Sequence, residues 1–244
     1  MMGESRRWVV TGGSQGIGDA IARRALSEGD CVAIIARNPN HSSLLSVYPE
    51  SCLLIPADVT DPESVQKACA AVQKHWGGID VLVNNAGIHR GGRIGRIAGN
   101  DWQGVLDTNL SGAFNTIRAA LIFMKDGGSI VNIGAVVGLR GFKGDVAYAS
   151  AKAGLIGLTH ALAIELADRS ITVNIVLPGL TETDMVGALS ESAKATLMAR
   201  IPLGRTAQAS EIADVVWNVA GSTYMTGSII AVDGGLMAAL GSAQ

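Results

Sequence analysis

In the stretch YASAK, Tyr148 and Lys152 stand four residues apart. On a helix that spacing puts both side chains on one face. A phenol beside an ammonium is a proton donor in waiting, because the positive charge favours phenolate and draws the tyrosine pKa down from ~10. The pair alone is a weak pattern, common on helix surfaces, so its meaning depends on what the rest of the chain supplies.

VVTGGSQGIG supplies a second function. Gly12, Gly16 and Gly18 fall where an apolar run gives way to a helical pattern, and Ser14, Gln15 and Ile17 lie between them. Glycines let the backbone approach a ligand, and the N–H groups of the following helix terminus suit a diphosphate. The spacing G-x-x-x-G-x-G differs from the generic dinucleotide fingerprint G-x-G-x-x-G. About 20 residues past the glycines, an acid for a ribose 2′-hydroxyl is expected in an NAD enzyme. The second strand ends Ala36-Arg37-Asn38 instead. Arg37 suits a 2′-phosphate through its guanidinium fork, which favours NADP(H), although Gln15 stands where a second basic ligand is expected.

Seven apolar runs read as strands: 7–10, 31–36, 52–57, 81–85, 129–134, 171–177 and 228–232. They are nearly continuous rather than alternating, as parallel strands covered on both faces should be. Helical patterns separate them at 17–28, 62–75, 101–124, 147–166 and 209–221. In the fourth, Ala147, Ala151, Leu155, Leu158 and Leu162 share one face. This βα rhythm predicts a doubly wound, seven-stranded parallel sheet of Rossmann type with helices on both faces, in one domain spanning 1–244. Segment 180–206 has weak periodicity and is expected to form a substrate lid.

The ordered set TGGSQGIG (11–18), ADV (57–59), NNAG (84–87), DTNLSG (107–112), YASAK (148–152) and PG (178–179) resembles the short-chain dehydrogenase/reductase family over nearly the whole length. PGLTETDM, IPLGRTAQASEIADVVWNVA and MTGSIIAVDGG are similar to its 3-oxoacyl-acyl-carrier-protein reductase branch. The resemblance implies that Gly12, Ser14, Gly16, Ile17 and Gly18 hold the diphosphate, while Asp58 and Val59 flank the adenine. It implies that Asn85, Ala86 and Gly87 pass the adenosine-side ribose and the middle of the cofactor. Pro178, Gly179 and Thr181 would contact the nicotinamide, with Thr183 near the phosphates. Tyr148 would give its proton to the carbonyl oxygen as hydride arrives. Lys152 would bind the nicotinamide ribose and lower the Tyr148 pKa, and Asn109 would hold a water that relays protons to Lys152. As bland alternatives, Asp58 caps a turn and Asn109 bonds backbone inside a helix.

One expected group is missing. The family usually carries a serine thirteen residues before the tyrosine, where this chain has Ala135 in NIGAVVG. Neither serine nor threonine occurs between 133 and 147. That serine donates to the substrate carbonyl, and losing one such donor costs ~10²–10³ in rate. Three readings follow: an engineered serine-to-alanine form of a reductase, a natural reductase that works with Tyr148 alone, or a nucleotide-binding scaffold or sensor. Retention of Asn109, Tyr148 and Lys152 argues against the last, and the single-residue change favours the first.

The parent activity implied is NADPH-dependent reduction of a 3-oxoacyl thioester, on acyl carrier protein or coenzyme A, with a free, cyclic or polyketide ketone as the alternative substrate. Carrier protein would need a basic entrance. Arg90, Arg93, Arg96, Arg140, Lys143 and Arg169 are candidates, with solvation as their alternative role. His89 follows NNAG closely enough to line the site mouth, although a solvated loop histidine is the simpler reading. The four histidines show no metal-ligand spacing, and no metal is expected.

The 244 residues carry a net charge of −2 without blocks of like charge, which disfavours nucleic acid and anionic membranes. No apolar run approaches the ~20 residues of a membrane span. Three cysteines without a CxxC pair suit a reducing cytoplasm. The mean hydropathy of +0.31 is apolar for a monomer, and the family resemblance implies a homotetramer built through 101–124, 147–166 and the last helix and strand.

Overall fold

The computed structural model describes residues 5–183 and 191–239. Its strands are β1 (Arg7–Thr11), β2 (Cys31–Ala36), β3 (Cys52–Pro56), β4 (Ile79–Asn84), β5 (Met124–Ile133), β6 (Thr172–Pro178) and β7 (Ile229–Val232). All pair in parallel, in the order β3-β2-β1-β4-β5-β6-β7. This is the doubly wound sheet expected from the continuous apolar runs.

The helices are α1 (Gly16–Ser27), α2 (Leu44–Val47), α3 (Pro62–Trp76), α4 (Gly99–Leu106), α5 (Gly112–Ala120), α6 (Val137–Arg140), α7 (Val146–Glu165), α8 (Glu191–Met198) and α9 (Ala209–Ala220). Successive strand residues feed opposite layers. Trp8, Val10, Val32, Ile34, Val81 and Val83 pack with Ile21 and Ala25 of α1 and with Ile212 and Val216 of α9. Val9, Ala33, Ile35 and Leu82 pack on the other side with Val65 and Val72 of α3, Ile117 of α5 and Ala163 of α7. Two buried faces leave the central strands no solvated side, hence their nearly continuous hydrophobicity.

Local signals set the helix ends. Asp61 caps α3 by accepting from Glu63 N, Pro62 opens its first turn, and Gly77 ends it at φ 77°. Gln208 and Glu211 form a reciprocal capping box at α9.

Two expectations need correction. The helix predicted over 101–124 is not one α-helix: α4 passes through a π turn, Asp107–Ser111, into α5, which stops at Ala120. Met124 already belongs to β5. In α7 the buried stripe is Ala147, Ala151, Leu155, Thr159 and Ala163, so Leu158 and Leu162 lie only at its edge. Segment 180–206 contains α8 and a bridge between Thr181 and Ala207, while its residues 184–190 lie outside the described residues. Among the described residues no helix is long and apolar enough to cross a membrane.

Candidate active site

The chain leaves β1 toward β2 and β3, then returns to place β4 on the other side of β1. At such a reversal, connections depart to opposite faces and a crevice opens beyond the carboxyl ends of the strands. A cavity of about 640 Å³ lies there.

Side-chain hydrogen bonds knit its floor. Thr11 Oγ1 accepts from Asn85 N and Ala86 N at 3.0 and 3.1 Å, while Asn85 Nδ2 donates to Thr11 O and Gly12 O at 3.0 and 3.1 Å. Gly12 has φ 64°, and a Cβ there would lie 2.9 Å from Ala86 Cα. Gly18 does not line the cavity; it lets α1 close onto the loop, because a Cβ would stand 2.4 Å from Gly12 O and 2.5 Å from Asn85 Nδ2. Gly18→Ala should therefore destabilise the fold by about 1–3 kcal/mol as well as weaken nucleotide binding. Denaturant unfolding without nucleotide measures the first effect separately.

Ser14, Gln15, Gly16 and Ile17 line the cavity at the start of α1. No side chain caps that helix, so its first N–H groups are left for a ligand. Arg37 also lines the cavity, with Asn38 beside it and no acid at this strand end. Asp58 and Val59 reach the same space. Asp58 also takes its bland role, since Oδ1 accepts from Thr60 N and Thr60 Oγ1 at 2.9 and 2.8 Å. Ala86, Gly87, Pro178, Gly179, Thr181 and Thr183 complete the set from the β4 and β6 ends.

Ala135, Tyr148 and Lys152 share one wall. Ala135 stands one residue beyond β5, after Gly134, and Gly138 N donates to its carbonyl as the chain turns into α6. Lys152 is buried, and its Nζ donates to Ile133 O at 2.8 Å while lying 5.5 Å from the Tyr148 ring centroid. Burial pulls Lys152 down to about 8. Burial, reinforced by the Asp145 carboxylate, pushes the Tyr148 phenol up to about 12. Both influences oppose the lowering expected from Lys152.

Asn109 does not line the cavity. It sits buried in the π turn, donating to Ile88 O and Val105 O at 2.9 Å each, which is its bland reading, and its Oδ1 is without a partner among the described residues. The relay atom expected of it is therefore available but lies behind the wall.

Two residues take parts the sequence reading did not give them. His89 is not simply solvated: Nε2 lies 2.8 Å from Asp145 Oδ1, and its ring stands edge-on to Tyr148 at 5.2 Å between centroids. Asp145, three residues before Tyr148, belongs to no motif in the sequence. Of the basic candidates, Arg90 pairs with Asp101, and Arg140 donates to Leu236 O. Arg169 holds Asp126, Leu121 O and Met124 O at the amino end of β5, the edge opposite the cavity, and so leaves the entrance set.

A glycine loop at the reversal of a parallel sheet, with a tyrosine and a buried lysine in the same cavity, defines a dinucleotide-dependent oxidoreductase of the doubly wound class. The family model described as enoyl-(acyl carrier protein) reductase matches residues 12–237. The 3-oxoacyl-[acyl-carrier-protein] reductase FabG of Escherichia coli is 40% identical over 241 residues, covering 96% of this chain and 98% of that protein. Carbonyl reductase family member 4 of Danio rerio is 43% identical over 235 residues, covering 95% and 98%. Among solved structures, a blue fluorescent protein from a metagenomic library in complex with NADPH superposes with TM-score 0.88 at 36% identity, covering 95% and 97%. A double mutant of a Serratia marcescens short-chain dehydrogenase/reductase gives 0.90 at 35%, covering 96% and 98%. The chain belongs to the short-chain dehydrogenase/reductase family.

Proposed function

We propose that this protein is an NADP(H)-dependent ketoreductase whose preferred substrate is a 3-oxoacyl thioester. The observation that carries the reading is the shared cavity: a phosphate loop and Arg37 at one part of it, Tyr148 and Lys152 at another. The residues fit the nucleotide. The uncapped α1 terminus offers N–H groups to a diphosphate, Gly12 lets the loop before it pack closely on Ala86, and Arg37 without a neighbouring acid suits a 2′-phosphate. NADPH, when bound, supplies the hydride for the carbonyl carbon.

The chain's own groups do the rest. Tyr148 passes its hydroxyl proton to the carbonyl oxygen, so one O–H bond breaks as the alcohol O–H forms. Lys152, fixed by Ile133 O, presents a cation beside the phenol and would hold the nicotinamide-side ribose. The Asn109 Oδ1 is the site for a water that returns protons to Lys152. Ala135 leaves the carbonyl oxygen without a second side-chain hydroxyl, so turnover is slower than in a serine-bearing form.

Oxidation of NADPH with a short 3-oxoacyl thioester tests the reading, compared on acyl carrier protein, on coenzyme A and as a free ketone. A kcat/KM advantage for the carrier-bound form is expected, and its absence would return the assignment to free ketones. In the same assay Arg37→Ala should raise KM for NADPH at least tenfold and leave that for NADH nearly unchanged. Equal effects on both would remove Arg37 from 2′-phosphate recognition.

A further inference from the structure

We propose that His89 and Asp145 are positioning residues for Tyr148: the charged imidazole cancels a carboxylate that otherwise faces the phenol, making proton donation pH-dependent. The inference rests on the ketoreductase reading above.

Asp145 occupies the N-cap position of α7, where an aspartate ordinarily accepts from the first free N–H groups. Its side chain makes no capping bond and turns instead to His89, 2.8 Å away. The two loops do not need this contact to stay together, because Gly92 N already donates to Gly144 O at 2.6 Å and Gly92 bridges Asp145 through backbone. The imidazole edge packs on the Tyr148 ring at an interplanar angle of 80°. A carboxylate, an imidazole and the proton donor therefore form one cluster.

Two neighbouring cations are committed elsewhere. Lys152, one turn along α7, is fixed on Ile133 O. On the His89 side, Arg90 pairs with Asp101 of α4 at 2.8 Å. Asp145 raises the proton affinity of Tyr148, and its hydrogen bond holds His89 above the usual histidine range. While His89 is charged the pair is neutral, and Tyr148 is the stronger acid. Once His89 loses its proton, the uncompensated carboxylate weakens Tyr148 as a donor. With no serine at position 135, this acid strength has no second hydroxyl to supplement it.

The test is the pH dependence of kcat for ketone reduction, read with two titrations that need no turnover. In the unaltered chain kcat should fall a few-fold as pH rises through the His89 titration, with little change in KM. Asp145→Asn should hold kcat at the higher level through the His89 titration and His89→Gln at the lower level, each lacking that step and keeping only the decline that follows Lys152. By NMR, the His89 imidazole should titrate at lower pH in Asp145→Asn. By tyrosinate absorbance, corrected with Tyr148→Phe, the Tyr148 midpoint should fall by about 1 pH unit in Asp145→Asn. It should stay put in His89→Gln, because His89 is already neutral at such alkaline pH. A kcat step that survives in Asp145→Asn at the His89 midpoint read by NMR overturns the proposal, as does an imidazole indifferent to that change; the decline through about pH 8 that follows Lys152 is common to all these chains. Both titrations shifting as expected while no ketone is reduced would uphold the pair and overturn the ketoreductase reading.

Discussion

Ala135→Ser is expected to raise kcat/KM for a 3-oxoacyl thioester on the order of 10²-fold or more, equivalent to about 2.7–4 kcal/mol at the transition state. The backbone around the position is already fixed: Gly134 N is held by Val176 O, Val136 N by Pro178 O, and the Ala135 carbonyl by Gly138 N. The side chain faces the cavity shared with Tyr148 and Lys152. A serine would need no rearrangement of the chain to place a hydroxyl there, and a donor aimed at a developing oxyanion costs little reorganisation. NADPH affinity should stay the same, because the proposed nucleotide contacts lie elsewhere in the cavity. Paired progress curves for the two proteins decide the matter. Equal rates would mean that Tyr148 suffices and that the missing hydroxyl is not what limits this chain.

The converse experiment is Tyr148→Phe, expected to lower kcat/KM by about 10²–10⁴ while NADPH still binds. The change removes one hydroxyl and keeps the ring that packs against His89. Thermal unfolding should therefore hardly move, separating lost chemistry from lost structure. The pH profile carries a further sign. Because the phenol is pushed up to about 12, Tyr148 keeps its proton through the neutral range. Lys152, pulled down to about 8, loses its charge first, so reductive activity should decline as pH rises through that value in any variant that retains the lysine. An alkaline decline unchanged by replacing Lys152 would remove the lysine from this account.

The sheet was legible because parallel strands covered on both faces have no solvated side. Val9, Ala33 and Leu82 face one layer, and Trp8, Ile34 and Val83 the other. The cavity wall was equally legible as an ordered series of motifs, and Arg37 as a cation without a competing acid. What escaped was context. Periodicity across 101–124 counts apolar residues and not hydrogen bonds, so it could neither show the π turn nor find where α5 gives way to β5. The pairing of His89 with Asp145 joins residues far apart in the chain whose types have no fixed spacing. The direction of the Tyr148 shift depended on how deeply the phenol is desolvated, which no pattern of residue types reports.

The π turn at Asp107–Ser111 has a consequence for how mutations in this rod will behave. One extra residue advances a helix by about 100°, so α4 and α5 are out of phase although they run on without a break. Val105 of α4 is thereby aimed at Ala147 and Ala151 of α7, whereas Ile117 and Ala120 of α5 are aimed at the layer containing Val65 and Cys69 of α3. A single-residue deletion between 107 and 111 would restore an ordinary α-helical phase and misdirect one of these two seams. It would also carry Asn109 away from Ile88 O and Val105 O. Substitutions on either side of the turn can thus be tolerated one by one, but the length of the rod cannot drift, because one inserted residue sets the rotation between two cores and a catalytic wall.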